Sequence, residues 1–215
     1  MDDAQINLKD YTLLKKIGAG VSGEAFCMNL SSGLFEHIHI YNIKMIKICE
    51  YAFFNCCRLR KVEIPTNSNL QTIEKYAFSG SNIEEIYFPK SLIELKEGWC
   101  SDTRELIRII ISPSNGQFIF KEDKYLICKS NENNENNEEF DKLVFVRRDI
   151  KEISIPRNIK IIGSYSFERS NIEEISIPAS VTKICENAFS KFIKYYIFIQ
   201  KFSFKSFFYF KNRAF

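Results

Sequence analysis

The chain predicts a repeat solenoid in which short parallel β-strands stack in a curved sheet, with turns or short helical segments on the other wall. Three observations predict it. The phrase NIEEIYFP at 82–89 returns as NIEEISIP at 171–178. Aligning the chain on that closing proline brings further copies into register at a period of about 22 to 24 residues. Composition agrees, because 215 residues with 45% hydrophobic and 27% charged content suffice for one core or an array of small stacked units.

Five copies are legible: MIKICEYAFFNCCRLRKVEIP (45–65), TNSNLQTIEKYAFSGSNIEEIYFP (66–89), KSLIELKEGWCSDTRELIRIIISP (90–113), RNIKIIGSYSFERSNIEEISIP (157–178) and a fifth opening ASVTKICENAFSKF at 179. Val62, Ile86, Ile109, Ile153 and Ile175 form one apolar column, and Ile64, Phe88, Ile111, Ile155 and Ile177 another two positions on. Alternate residues of a strand face opposite sides, so both columns point inward. Ala52-Phe53, Ala77-Phe78, Ser166-Phe167 and Ala188-Phe189 supply apolar side chains from the opposite wall, while the third copy has Trp99-Cys100 there and should repack locally. Pro65, Pro89, Pro156 and Pro178 end the strands, since proline lacks the N–H that a ladder needs. No single unit can bury its own apolar face, so the copies must stack, strand upon equivalent strand. Between the inward columns, Lys61, Glu85 and Arg108 would then neighbour one another with alternating sign, while Glu152 and Glu174 repeat one sign.

The shared pattern, I-x-x-x-A-F followed by I-x-I-P, resembles the BspA-like leucine-rich repeats of protist and bacterial surface proteins over about residues 45–199. That resemblance implies a right-handed solenoid with a role in adhesion or protein binding. Between the third and fourth copies, residues 114–149 read as an insertion. FIF, YLIC and LVFV read as a small hairpin or strand set riding on the solenoid, and SNENNENNEE as a solvated loop lacking the glycine-turned geometry of a calcium site.

The N-terminal segment carries a second resemblance. DYTLLKKIGAGVSGEAFCM (10–28) is similar to the first two strands of a protein kinase, with Gly18, Gly20 and Gly23 as the glycine-rich loop and Ala25 where that family prefers valine. YNIKMI (41–46) resembles the strand carrying the phosphate-pairing lysine, here Lys44. Phosphoryl transfer also needs positioned metal ions and a residue to receive the hydroxyl proton. The chain has no D-F-G or A-P-E, and repeat sequence follows Lys44 at once. VRRDIK (146–151) imitates a catalytic loop through Arg148, Asp149 and Lys151, but KEISIP superposes on the repeat's EEISIP. The expected organisation is a kinase-like hairpin remnant or cap (1–44), repeats with their insertion (45–199) and an aromatic, lysine-bearing tail (200–215). The alternative is a nucleotide-binding pseudokinase or kinase fragment fused to repeats.

Other chemistry is sparse. The formal charge of +3 with interleaved signs gives no long-range attraction for nucleic acid. Seven cysteines without a C-x-x-C pair suggest reduced, packed thiols, with Cys49 and Cys185 at one repeat position and the Cys56–Cys57 pair at a turn. His37 and His39 flank Ile38 on a strand-like run and read as solvated or packed. No hydrolase, zinc-protease or Walker motif occurs, so neither catalysis nor a cofactor or metal is expected. MDDAQINLKDYTLL has no secretory pattern, which makes a cytoplasmic location the default, whereas the repeat resemblance suggests the cell surface. Lys201 and Lys205 interrupt the aromatic tail before it reaches a membrane-spanning length, so the tail is expected to be a chain end without its polar cap, with membrane association the lesser alternative. The expected partner is a protein or a host or cell-surface ligand, met by a monomer or an end-to-end assembly. Its contacts would be the outward strand positions Lys61, Glu63, Glu85, Tyr87, Arg108, Ile110, Glu152, Ser154, Glu174 and Ser176.

Overall fold

The computed structural model describes residues 15–20, 23–27, 36–40, 43–130, 139–191 and 196–199, with the first two segments and the last as backbone strands only. The chain divides into two compact units, Met1–Phe118 and Ile119–Phe215. In chain order the strands are β1 (Lys15–Gly20), β2 (Gly23–Cys27), β3 (His37–His39), β4 (Met45–Ile48), β5 (Lys61–Glu63), β6 (Thr72–Ile73), β7 (Glu85–Phe88), β8 (Glu94–Leu95) and β9 (Arg108–Ile111). They continue as β10 (Phe118–Lys121), β11 (Tyr125–Cys128), β12 (Lys142–Val146), β13 (Ile161–Ile162), β14 (Glu174–Ile177), β15 (Lys183–Ile184) and β16 (Tyr196–Ile199). Among the described residues there is no helix, so the opposite wall is made of turns.

The first unit holds two ladders, β3-β5-β7-β9 and β1-β2-β4-β6-β8. In the former all pairing is parallel and in register: Ile38 lies opposite Val62, Val62 opposite Ile86, and Ile86 opposite Ile109. These four residues are buried, so the inward column exists, and it starts one strand before the five copies read from the sequence. Ile40, Ile64 and Phe88 form the buried column beside it. Fully burying one such side chain stabilises by about 1.5–3 kcal/mol.

The opposite wall is also laddered. The amide of Phe53 donates to the carbonyl of Ala77 at 2.7 Å, and that of Phe78 to Trp99 at 2.8 Å. Phe53 and Phe78 stack with centroids 4.9 Å apart. The third coil repacks as its altered residues require, with the Trp99 ring meeting Phe78 edge-on at 6.4 Å and Phe88 at 5.7 Å. Each turn holds residues in the left-handed region, including Tyr51, Tyr76, Tyr165 and Asn187 at one repeat position. At that position the third coil has Gly98, where an added Cβ would lie 2.6 Å from the Tyr76 ring. Pro65, Pro89, Pro156 and Pro178 each open the next turn, since their carbonyls accept from the amides three residues on at 3.0–3.1 Å, although Pro156 follows no strand.

The second unit holds β10-β11-β12-β13-β15 and β14-β16. The strands of the insertion do not ride on the solenoid as expected. β11 and β12 form an antiparallel pair, and β12 then runs parallel to β13, with Lys142 opposite Ile161 and Leu143 opposite Ile162. The physical reason is that the apolar side of LVFV finds the same core as the repeats: Leu143 and Val146 are buried with Ile155, Ile162, Phe167, Ile175 and Ile177. Ile153 departs from its column in another way. It is half-buried against that core, but residues 151–156 form no strand, and the Glu173 amide of the next coil donates to the Lys151 carbonyl at 3.2 Å. In β14 and β16 Ile175 lies opposite Ile197 in parallel register. The tail beyond 200 and the centre of the Asn/Glu loop (131–138) lie outside the described residues.

Candidate functional site

Because side chains alternate along a strand, the residues between the buried columns share one outward face. In the first unit that face carries two rows. One runs His37, Lys61, Glu85, Arg108, each directly opposite the next. Lys61 Nζ lies 3.6 Å from Glu85, and Arg108 NH1 lies 3.2 Å from the other oxygen of the same carboxylate. The second row is His39, Glu63, Tyr87, Ile110, with His39 opposite Glu63 and Tyr87 opposite Ile110. His39 Nδ1 approaches Glu63 at 2.6 Å, and Lys61 reaches the same carboxylate at 3.2 Å. The hydrogen bond to Glu63 is the main cause of a raised Lys61 pKa, with the charges of Glu63 and Glu85 adding to it. Both carboxylates are therefore each shared between two basic side chains. The far end of the face differs, because Arg108 keeps 67% of its side chain exposed and Ile110 is 39% exposed.

His39 was not legible as a partner of Glu63. Its neighbour lies one coil away, and only the parallel register brings the two together.

In the second unit Glu174 and Ser176 project from β14, since Ile175 and Ile177 are buried and the two residues between them are exposed. Glu152 and Ser154 are exposed on the segment that precedes this coil.

The glycine-rich segment forms a hairpin. β1 and β2 pair antiparallel with Gly20 opposite Gly23, and the register shifts between Ile17 and Ala19, around Gly18. β2 then pairs parallel with β4, Phe26 opposite Ile48, which is the pairing of the repeat ladder itself. Lys44 lies in an exposed turn before β4, not on a strand. In the catalytic-loop imitation Arg148 and Asp149 are both held in contacts within the fold. Arg148 is buried, donates to the carbonyls of Ser166 at 2.7 Å and Tyr165 at 3.0 Å, and lies over the Phe145 ring. Asp149 accepts from Arg147 at 3.0 and 2.6 Å, and that hydrogen bond holds its carboxyl below the usual range.

Of the cysteines, Cys56, Cys57, Cys100, Cys128 and Cys185 are free. Cys49 is disulfide-bonded, which corrects the expectation of reduced thiols throughout; an odd count forbids pairing every cysteine, but not pairing one. Cys56 takes the repeat position where Ser81 and Thr103 donate their hydroxyls to the carbonyl three residues back, and burial pushes its thiol up to about 11. Burial likewise pushes Cys128 up to about 12. No group of three or more possible metal ligands occurs among the described residues, and no helix among them is long and apolar enough to cross a membrane.

The comparison with known families decides what this ladder is. The model described as BspA type leucine rich repeat region, in six copies, matches residues 21–132 and 116–195. The chain belongs to the BspA-type leucine-rich repeat family. The match begins inside the glycine-rich segment and crosses the insertion, in keeping with β2 and β12 joining the ladders of this BspA-type chain. No curated protein matches it. Among solved structures, the pneumococcal vaccine antigen PcpA is similar at TM-score 0.65 and 22% identity, over 79% of this chain and 39% of that one. A leucine rich cell surface protein from Faecalibacterium prausnitzii A2-165 is similar at TM-score 0.61 and 20% identity, over 72% of this chain and 38% of that one. At these identities the likeness is one of fold, and the BspA-type chain spans about two-fifths of either protein's length.

Proposed function

We propose that this chain is a non-catalytic protein-binding or adhesion module that meets its partner through the outward strand positions of its repeats. The observation that carries this reading is the in-register stacking of β3, β5, β7 and β9, which turns separate short strands into one surface of fixed spacing. A rigid surface of that kind binds without the entropic cost of ordering loops. The adhesion reading draws support from two proteins of similar fold, one named a cell surface protein, from Faecalibacterium prausnitzii, and one named a pneumococcal vaccine antigen. Lys61, Glu63, Glu85, Tyr87, Arg108 and Ile110 are the contacts on the first unit, and Glu152, Ser154, Glu174 and Ser176 those on the second.

The test is saturable binding of the full chain to proteins or cells, compared with variants altered on each strand face and with a turn-wall control, Tyr51→Ala. Loss on the face variants alone is expected, and equal loss with the control would overturn the reading. The nucleotide-binding alternative has no supporting observation. Mg-ATP should leave the melting temperature unchanged, and a shift abolished by Lys44→Ala would reverse that conclusion.

A further inference from the structure

The proposal above leaves the partner's chemistry open, and the far end of the first unit's face narrows it. The row Lys61, Glu85, Arg108 alternates in sign. Glu85, only 24% exposed, is shared between its two cationic neighbours. Arg108 ends the row. Only its NH1 is engaged, with Glu85 Oε2 at 3.2 Å, while most of the side chain faces solvent. A guanidinium carries five N–H donors in a fork suited to a carboxylate. Directly beside it, Ile110 exposes apolar surface where the strand before presents Tyr87. At the other end of the two rows the carboxylate of Glu63 is already met by His39 and Lys61, so among the described residues of these rows no acid is left free for a cationic ligand.

The geometry points to a docking patch of Tyr87, Arg108 and Ile110 for an acidic-apolar polypeptide segment, whose carboxylate meets Arg108 while an apolar side chain covers Ile110 and Tyr87. This rests on the protein-binding reading and gives that reading one partner chemistry. Tyrosine and arginine are among the residue types enriched where such contacts carry most of the binding energy, and a second carboxylate at Arg108 continues the alternation that the row begins. A basic segment is disfavoured, because it would set like charges together at the exposed guanidinium.

The experiment is selection of a displayed random-peptide library on the full folded chain. Selected peptides should be enriched in Asp or Glu next to apolar residues. Their binding should weaken about tenfold or more with Arg108→Gln and with Ile110→Ser, and Arg108→Glu should shift selection toward Lys and Arg. Unchanged melting of the variants establishes that their folds are intact. Binders that ignore these substitutions but respond to Glu174→Ala would sink the patch while leaving the module reading in place. Basic binders to the unaltered chain would sink its chemistry. If selection yields no binder that any strand-face substitution affects, both readings fail together.

Discussion

Among the described residues, the buried polar side chains of the first unit are short hydroxyls, Ser68, Ser79, Ser81, Ser101 and Thr103, whereas the second unit buries, besides Ser130, Ser166 and Ser170, the charged side chains Asp141, Arg148 and Glu168. The two units stack similar coils, so the difference comes from what each must join. In the first unit each coil follows its neighbour directly, and turn amides meet turn carbonyls: Phe53 donates to Ala77 as Phe78 donates to Trp99. In the second unit the insertion stands where a preceding coil would stand. The Val146 amide donates to Ser166 at 3.0 Å, taking the part that Phe53 plays toward Ala77. The chain then leaves the regular turn, and the Arg148 side chain supplies further donors to Ser166 and Tyr165. Asp141 closes the base of the Asn/Glu loop by accepting from the Ser130 amide and hydroxyl, both at 2.9 Å. The regular array supplements its packing and backbone bonds with short hydroxyls such as Ser81, Ser91 and Thr103, and the irregular joint draws on longer, charged side chains.

That contrast can be broken at several points. Phe78→Ala removes a ring stacked on Phe53 and touched by Trp99, and should cost about 3–5 kcal/mol in urea unfolding. Next comes Arg148→Ala, which removes two charge-assisted hydrogen bonds, one to the buried Ser166 carbonyl and one to the part-buried Tyr165 carbonyl, and should cost about 3 kcal/mol. Arg148→Met, which keeps the stem's packing, should recover little of this; full recovery would mean that the joint is held by packing alone. Gly98→Ala combines a positive φ with the Tyr76 ring and should cost about 1–2 kcal/mol. Tyr76→Ala in the same background should relieve the steric part.

The outward face sits lower on this scale. Lys61→Ala should change stability by less than about 1 kcal/mol, and raised salt should erase the difference. A loss that persists at high salt would mean that Lys61 acts through packing. Smallest is an acid-limb effect at Asp149. A carboxyl whose folded pKa is depressed contributes stability that is fully present above the unfolded value of about 3.9 and is lost as pH falls through the lower folded value. Arg147→Met should remove that contribution at neutral pH and leave the melting temperature nearly unchanged below it.

Several of these features were legible beforehand. The repeat period, the inward columns of the first unit, the prolines Pro65, Pro89 and Pro178 that follow strands and the alternating row Lys61, Glu85, Arg108 all follow from periodicity, because parallel in-register stacking copies a one-dimensional pattern into space. His39 beside Glu63 was not read, since EHIHI carries the E-x-I-x-I spacing of EEISI but not the closing proline on which the copies align, and the pairing of its strand with β5 is what places it in the ladder. Nor was the role of Arg148, which stands in a sequence resembling a catalytic loop. Local pattern names residue types, and their partners lie 17 and 18 residues further along.

By itself the amino-acid order determined that this protein stacks coils: no unit of about 22 to 24 residues can cover its own isoleucines and phenylalanines, and the repeated spacing leaves one way to cover them. Only the tertiary structure decided that β12 joins the ladder, that Ile153 leaves it, and which charges on the outward face are already matched. Those outcomes depend on which backbone and side-chain groups meet across coils, and hydrogen bonds and ion pairs act over a few ångströms of space, whatever the distance along the chain.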